Sequence, residues 1–132
     1  MKIKITILCS AMTVLAILMT TNTFAQNNKA TLLVNKWYIH AYNIKNQGYP
    51  PSTKERHDFI HFKADKTFIS KSEGMMEEGT YVVNKASGYI KLTDNNGESI
   101  KAFIVLIDND TLILQYYSKE LRDLEVVYKN SI

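Results

Sequence analysis

Residues Thr31–Tyr42, TLLVNKWYIHAY, carry the chain's only tryptophan, Trp37, at the centre of a run that is apolar on both faces. A strand open to water on one side needs apolar residues only at alternate positions, because its side chains point to opposite faces with period two. This run therefore predicts a strand built into a core. Alternation from Trp37 puts Leu33, Trp37, Ile39 and Ala41 on one face, which is expected to be the interior.

Upstream of it the chain reads as an address. Lys2 and Lys4 form a basic start, Ile5–Met19 is an uncharged, mostly apolar run, and small residues flank Phe24 at Thr23 and Ala25. That order is the form of a secretory signal peptide, with cleavage expected between Ala25 and Gln26. The apolar run falls short of the roughly 20 residues that span a bilayer. Cys9 follows the bulky Leu8 and lies too near the start to be a lipidation site. Residues 26–30 read as a disordered polar leader and residues 31–132 as one domain.

Loss of residues 1–25 removes Cys9, so the exported chain would have no thiol, disulfide or thiolate metal ligand. A small domain without such staples depends on its core. Of 16 basic residues, Lys2 and Lys4 leave with the signal, and the remaining 14 stand against 13 acidic ones. The two signs interleave along the chain. No one-signed patch for nucleic acid or an anionic membrane is expected, and no membrane span in the mature form.

Downstream of Tyr42 the connection Asn43–Lys54 contains Pro50-Pro51, which rules out a helix or central strand there. Short β-rich segments follow: Asp58–Phe62, Thr67–Lys71, Glu77–Asn84, Tyr89–Thr93, Ser99–Ile107, Thr111–Tyr117 and Glu125–Lys129. Most of the turns between them are short, as at Asp94-Asn95-Asn96-Gly97, where Asn and Gly tolerate positive φ. Counting the tryptophan strand, there are eight segments, which indicates a sandwich or a barrel. Greek-key wiring would need several long crossovers, and this chain offers one long loop. Consecutive hairpins predict an all-β, eight-stranded antiparallel up-and-down barrel.

Several short motifs, in order, resemble the bacterial lipocalin-like family. Leu33-Val34-Asn35-Lys36-Trp37 resembles its first-strand motif, with Asn35 where a glycine is usual. Phe62-Lys63-Ala64-Asp65-Lys66-Thr67-Phe68 is similar to its second hairpin, and Gly79-Thr80-Tyr81 to the start of its fourth strand. Ile104, Leu106 and Asp110–Leu114 resemble its sixth and seventh strands. The resemblance implies a closed barrel with the tryptophan plugging one end and a small apolar molecule bound through the other. It also implies a basic residue across the tryptophan ring, with Lys129 in the corresponding region.

The candidate ligand-binding residues are Trp37, Ile39, Ala41, Phe62, Phe68 and Tyr81, expected to line a small apolar cavity under a lid formed by Asn43–Lys54. The ligand expected there is a small apolar or amphipathic molecule. The alternative is a barrel filled by its own side chains that acts as an envelope interaction module. Ala102–Ile107 is apolar at every position, so alternation assigns it no inner face. Either loops cover that strand or Ser99–Ile107 offers a surface to a protein partner.

His40, His57 and His61 supply too few ligands for a zinc site, and the four-residue spacing of His57 and His61 aligns side chains only on a helix. Glu73, Glu77 and Glu78 read as a solvated hairpin end. No nucleophile elbow and no Gly-rich phosphate loop occurs. No catalytic residue, metal or cofactor is expected.

Overall fold

The computed structural model describes residues 29–131. The signal-peptide reading of residues 1–25 lies outside the described residues. Residues 29–33 are helical, where a frayed leader and the beginning of the first strand were expected.

Nine strands follow: β1 Lys36–Ile44, β2 Gln47–Tyr49, β3 Phe59–Phe62, β4 Thr67–Ser72, β5 Met75–Asn84, β6 Tyr89–Asp94, β7 Ser99–Ile107, β8 Thr111–Tyr116 and β9 Leu124–Lys129. From β3 each strand pairs antiparallel with the next, and β9 returns to β1 to close the cylinder. One edge of β1 is shared: residues 36–38 pair with β3, and residues 42–44 pair with the short β2. The closed barrel thus has eight strands, with β2 as a flap.

The flap was not expected from the sequence. Its turn, Lys45-Asn46, has positive φ at both positions (49° and 65°), the geometry that suits the twist of a two-residue hairpin. Neither position is glycine, so the usual sequence signal is missing. Glu73-Gly74 makes the same kind of turn between β4 and β5, with φ of 50° and 85°.

One end of the barrel is filled. Trp37, Phe62 and Tyr81 are fully or almost fully buried there with Leu33, Ile90 and Leu112. The Trp37 indole N–H donates to the Leu33 carbonyl at 3.0 Å, so the buried Leu33 completes the plug. The Phe62 and Tyr81 rings meet edge to face at 5.0 Å. The Tyr81 hydroxyl donates to the Lys63 carbonyl at 2.6 Å, which satisfies the polar tip of an otherwise apolar site. Lys129, the expected cation over tryptophan, instead donates to Thr111 Oγ1 at 2.6 Å. Lys66 lies over the Tyr81 ring, 5.4 Å from its centroid.

Gly79 lets this layer close. It pairs with Phe68 on β4 and Asp94 on β6, and the Phe68 ring rests on its backbone. A Cβ there would collide with the Thr93 carbonyl and come within 2.8 Å of Phe68 Cε1.

Two β-bulges reset the alternation. In β1 the register with β9 slips between Ile39 (opposite Tyr128) and Ala41 (opposite Val127). Ile39 and Tyr42 face inward, with His40 and Ala41 between them on the outer face. In β7 the register with β8 slips between Ile104 and Leu106. Ile104 and Ile107 pack on the core, while Val105 and Leu106 are 48% and 42% exposed. A bulge places two residues opposite one, so both strands continue with reversed parity. This explains the uninterrupted apolar run of β7: its inner face switches part-way along.

Candidate functional site

The end of the barrel opposite the tryptophan is hollow. A cavity of about 930 Å³ opens there, between the ends of the strands and the connection from β2 to β3. Its wall nearest the plug is apolar, formed by Ile39, Phe68, Leu92, Ile100 and Val126. Nearer the mouth it is polar, because the same inward faces change chemistry at the strand ends.

The strand pattern shows how. On β5, Tyr81 and Gly79 are buried and Glu77 is next on that face; on β6, Leu92 leads to Asp94. Ile100 on β7 leads back to Glu98, just before the strand, and Phe68 on β4 leads to Ser70 and Ser72. Each of these mouth residues lines the cavity.

Tyrosines form the opposite wall. Tyr116 and Tyr128 join hydroxyls at 2.7 Å, and burial raises the pKa of both above the usual tyrosine value. Tyr42, turned inward by the β1 bulge, donates its hydroxyl to Glu55 Oε2. Burial, then this bond and the nearby carboxylates, raise its pKa as well. Glu55 accepts a second bond from the Ser52 hydroxyl at 2.6 Å, and the two bonds lower its pKa. Tyr49 and Tyr117 line the outer part of the cavity.

The connection between β2 and β3 is fastened at Asp58. This buried residue accepts from the Ile39 N–H through its carbonyl (3.0 Å) and from the Glu73 N–H through both carboxylate oxygens. The expected lid is therefore ordered, and Tyr49, Glu55 and Asp58 form one wall of the cavity.

Of the six residues singled out from the sequence, Ile39 and Phe68 line this cavity. Trp37, Phe62 and Tyr81 share the inner face but lie in the plug. Ala41 is turned to the outer face by the bulge at His40 and cannot belong to the lining. The cavity is also larger and more polar than the small apolar one expected. Tyr128, Glu77, Asp94 and Glu98 were missed, although alternation carried from Val126, Tyr81, Leu92 and Ile100 to the strand ends reaches all four.

The remaining sequence candidates lie elsewhere. His40 and His57 are exposed, and His61 pairs with Lys36 across β1 and β3. Its pKa is lowered by partial burial and then by Lys63 and Lys36. Among the described residues no group of three or more His, Cys, Asp or Glu side chains could hold a metal ion.

A family model described as a lipocalin-like domain matches residues 33–114, more than half of the chain. The chain belongs to the lipocalin-like domain family. Solved structures with this fold include a lipocalin-like protein from Bacteroides uniformis, at 12% identity and TM-score 0.55, covering 76% of this chain and 99% of that one. A second Bacteroides uniformis protein, solved by NMR, is 21% identical with TM-score 0.56 over 75% of this chain and 88% of that one. A DUF4847 family protein from Bacteroides vulgatus is 15% identical with TM-score 0.56 over 78% and 96%. These identities carry the lipocalin-like fold alone. No curated protein matches the chain significantly.

Proposed function

We propose that this lipocalin-like barrel is an exported, non-enzymatic binding protein that takes one small apolar or amphipathic molecule into its open end. The observation that carries this reading is the cavity of about 930 Å³, blind at the Trp37 plug and open at the mouth. Its volume lies within the roughly 300–1,000 Å³ of small-molecule sites. An apolar base beneath a polar mouth suits an amphipathic guest, and lipocalin-like barrels commonly bind small hydrophobic ligands. Export rests on the first 25 residues of the sequence. The filled-barrel alternative loses support because the interior is hollow.

A protein-partner role on the outer face has an observation of its own. Phe103, Val105 and Leu106 of β7 are exposed together, and Phe103 stacks edge to face with Tyr89 and Tyr117. Such a surface could act alongside the cavity.

Native mass spectrometry of the protein purified from its own host tests the binding reading. The expected result is a co-purifying small molecule that is lost when Ile100→Trp fills the cavity. A ligand-free protein that also binds no small amphiphile below about 100 μM, a weak interaction by any measure, would overturn it.

A further inference from the structure

The charge of the cavity wall is one-sided. Among the described residues five acidic side chains line it, Glu55, Asp58, Glu77, Asp94 and Glu98, against one basic residue, Lys71. The strand pattern strengthens the imbalance. Glu77 and Asp94 continue the inward faces of β5 and β6, whereas Lys71 falls between the inward-facing Ser70 and Ser72 and reaches the cavity only from its edge. Lys54, Arg56 and His57 share the connection that carries Glu55 and Asp58, but none lines the cavity.

A second feature of the wall is aromatic. Five tyrosines, Tyr42, Tyr49, Tyr116, Tyr117 and Tyr128, line the same mouth. Aromatic faces attract a cation through the ring quadrupole, most strongly when the cation is organic and poorly hydrated. A carboxylate head entering here would meet like charges, two of them on the exposed Glu77 and Glu98, a repulsion that added salt screens.

We infer that the cavity is selective for organic cations: an amine or quaternary ammonium head held among the tyrosines and acidic residues of the mouth, with an apolar body reaching down to Phe68 and Leu92. This rests on the binding reading above and specifies its ligand class. Fatty acid anions, the other obvious amphiphiles for an apolar base, are the disfavoured class. Two of the acids, Glu77 and Glu98, are the discriminating ones. Among the described residues neither side chain accepts a hydrogen bond, unlike Glu55, Asp58 and Asp94.

The test is isothermal titration calorimetry with three probes that share one eight-carbon chain: octyltrimethylammonium, octanoate and octanol. The cation is expected to bind at least about tenfold more tightly than octanoate at low ionic strength, with the gap narrowing as salt is added. The double variant Glu77→Gln, Glu98→Gln should lose most of that preference, with an unchanged thermal melt showing that the barrel still folds. Equal or tighter binding of octanoate, or a preference untouched by the double variant, would overturn the cation assignment while the binding reading stands. Failure of all three probes to bind would overturn the binding reading, and the assignment with it.

Discussion

Asp58 holds the backbone N–H of Glu73 with both carboxylate oxygens, at 3.0 and 3.1 Å. The two residues are far apart in sequence, and the contact ties the connection before β3 to the turn between β4 and β5. It lies at the mouth of the cavity, so it couples the stability of the barrel to the shape of the site.

Replacing Asp58 by Ala removes this acceptor from a buried position, which should cost about 1–3 kcal/mol. Asp58→Asn keeps one acceptor oxygen and should cost less. The measurement is the urea midpoint at constant slope. Equal stability of Asp58→Ala and wild type would show that the mouth is not fastened here.

Trp37→Ala empties the plug. Loss of a buried aromatic of this size should destabilise the barrel by about 3–5 kcal/mol. That is a large part of the roughly 5–15 kcal/mol of a typical domain. A loss under about 0.5 kcal/mol, typical of surface sites, would contradict the placement of Trp37.

Gly79 and Gly48 should respond oppositely to alanine. At Gly79 the new Cβ would strike the Thr93 carbonyl, a backbone atom that cannot swing aside, and a loss of at least about 2 kcal/mol is expected. At Gly48 the nearest atom is Asn43 Oδ1 at 3.7 Å, an ordinary contact, so the change should stay within about 0.5 kcal/mol. Thermal melts of the two variants decide it.

The β7 bulge is tested by a pair of neighbours. Leu106→Lys should be nearly neutral, within about 0.5 kcal/mol, because Leu106 faces out at 42% exposure. Ile107→Lys would bring a charge against the core and should unfold or severely destabilise the protein. Similar effects for both would mean the strand keeps strict alternation.

Four of the eight tyrosines, Tyr42, Tyr81, Tyr116 and Tyr128, have pKa values raised in the fold, each primarily by burial. A raised folded pKa contributes stability that is fully present below the unfolded value of 10.0 and is lost as pH rises through the folded value. Denaturant midpoints should therefore be insensitive to these groups at neutral pH and fall steeply above pH 10. Tyr116→Phe should make that alkaline decline shallower. An unchanged decline would mean that Tyr116 is not shielded from water.

Much of the architecture was already readable in the chain. Seven of the eight long strands match the short β-rich segments between turns, because strand preference and turn chemistry are local properties. The tryptophan strand was readable too, although it starts at Lys36 and is preceded by helical residues. The inward faces of β3 to β6 followed from the same alternation. Closure of β9 onto β1 was inferred from the succession of hairpins, and the register of that closure was not legible.

What only the tertiary structure decided follows from that register. A bulge adds one residue to one strand of a pair, and it exists only relative to the partner, so nothing in HAY of β1 or IVL of β7 announces it. That single added residue moved Ala41 out of the interior and brought Tyr42 into it. The two-residue turn at Lys45-Asn46 lacked glycine and was hidden for the same reason: its positive φ values are held by pairing on both sides. The chain's own pattern therefore determined a barrel with Trp37 in its core. The packing of one strand against another decided where that barrel is solid, where it is hollow, and which side chains its cavity presents.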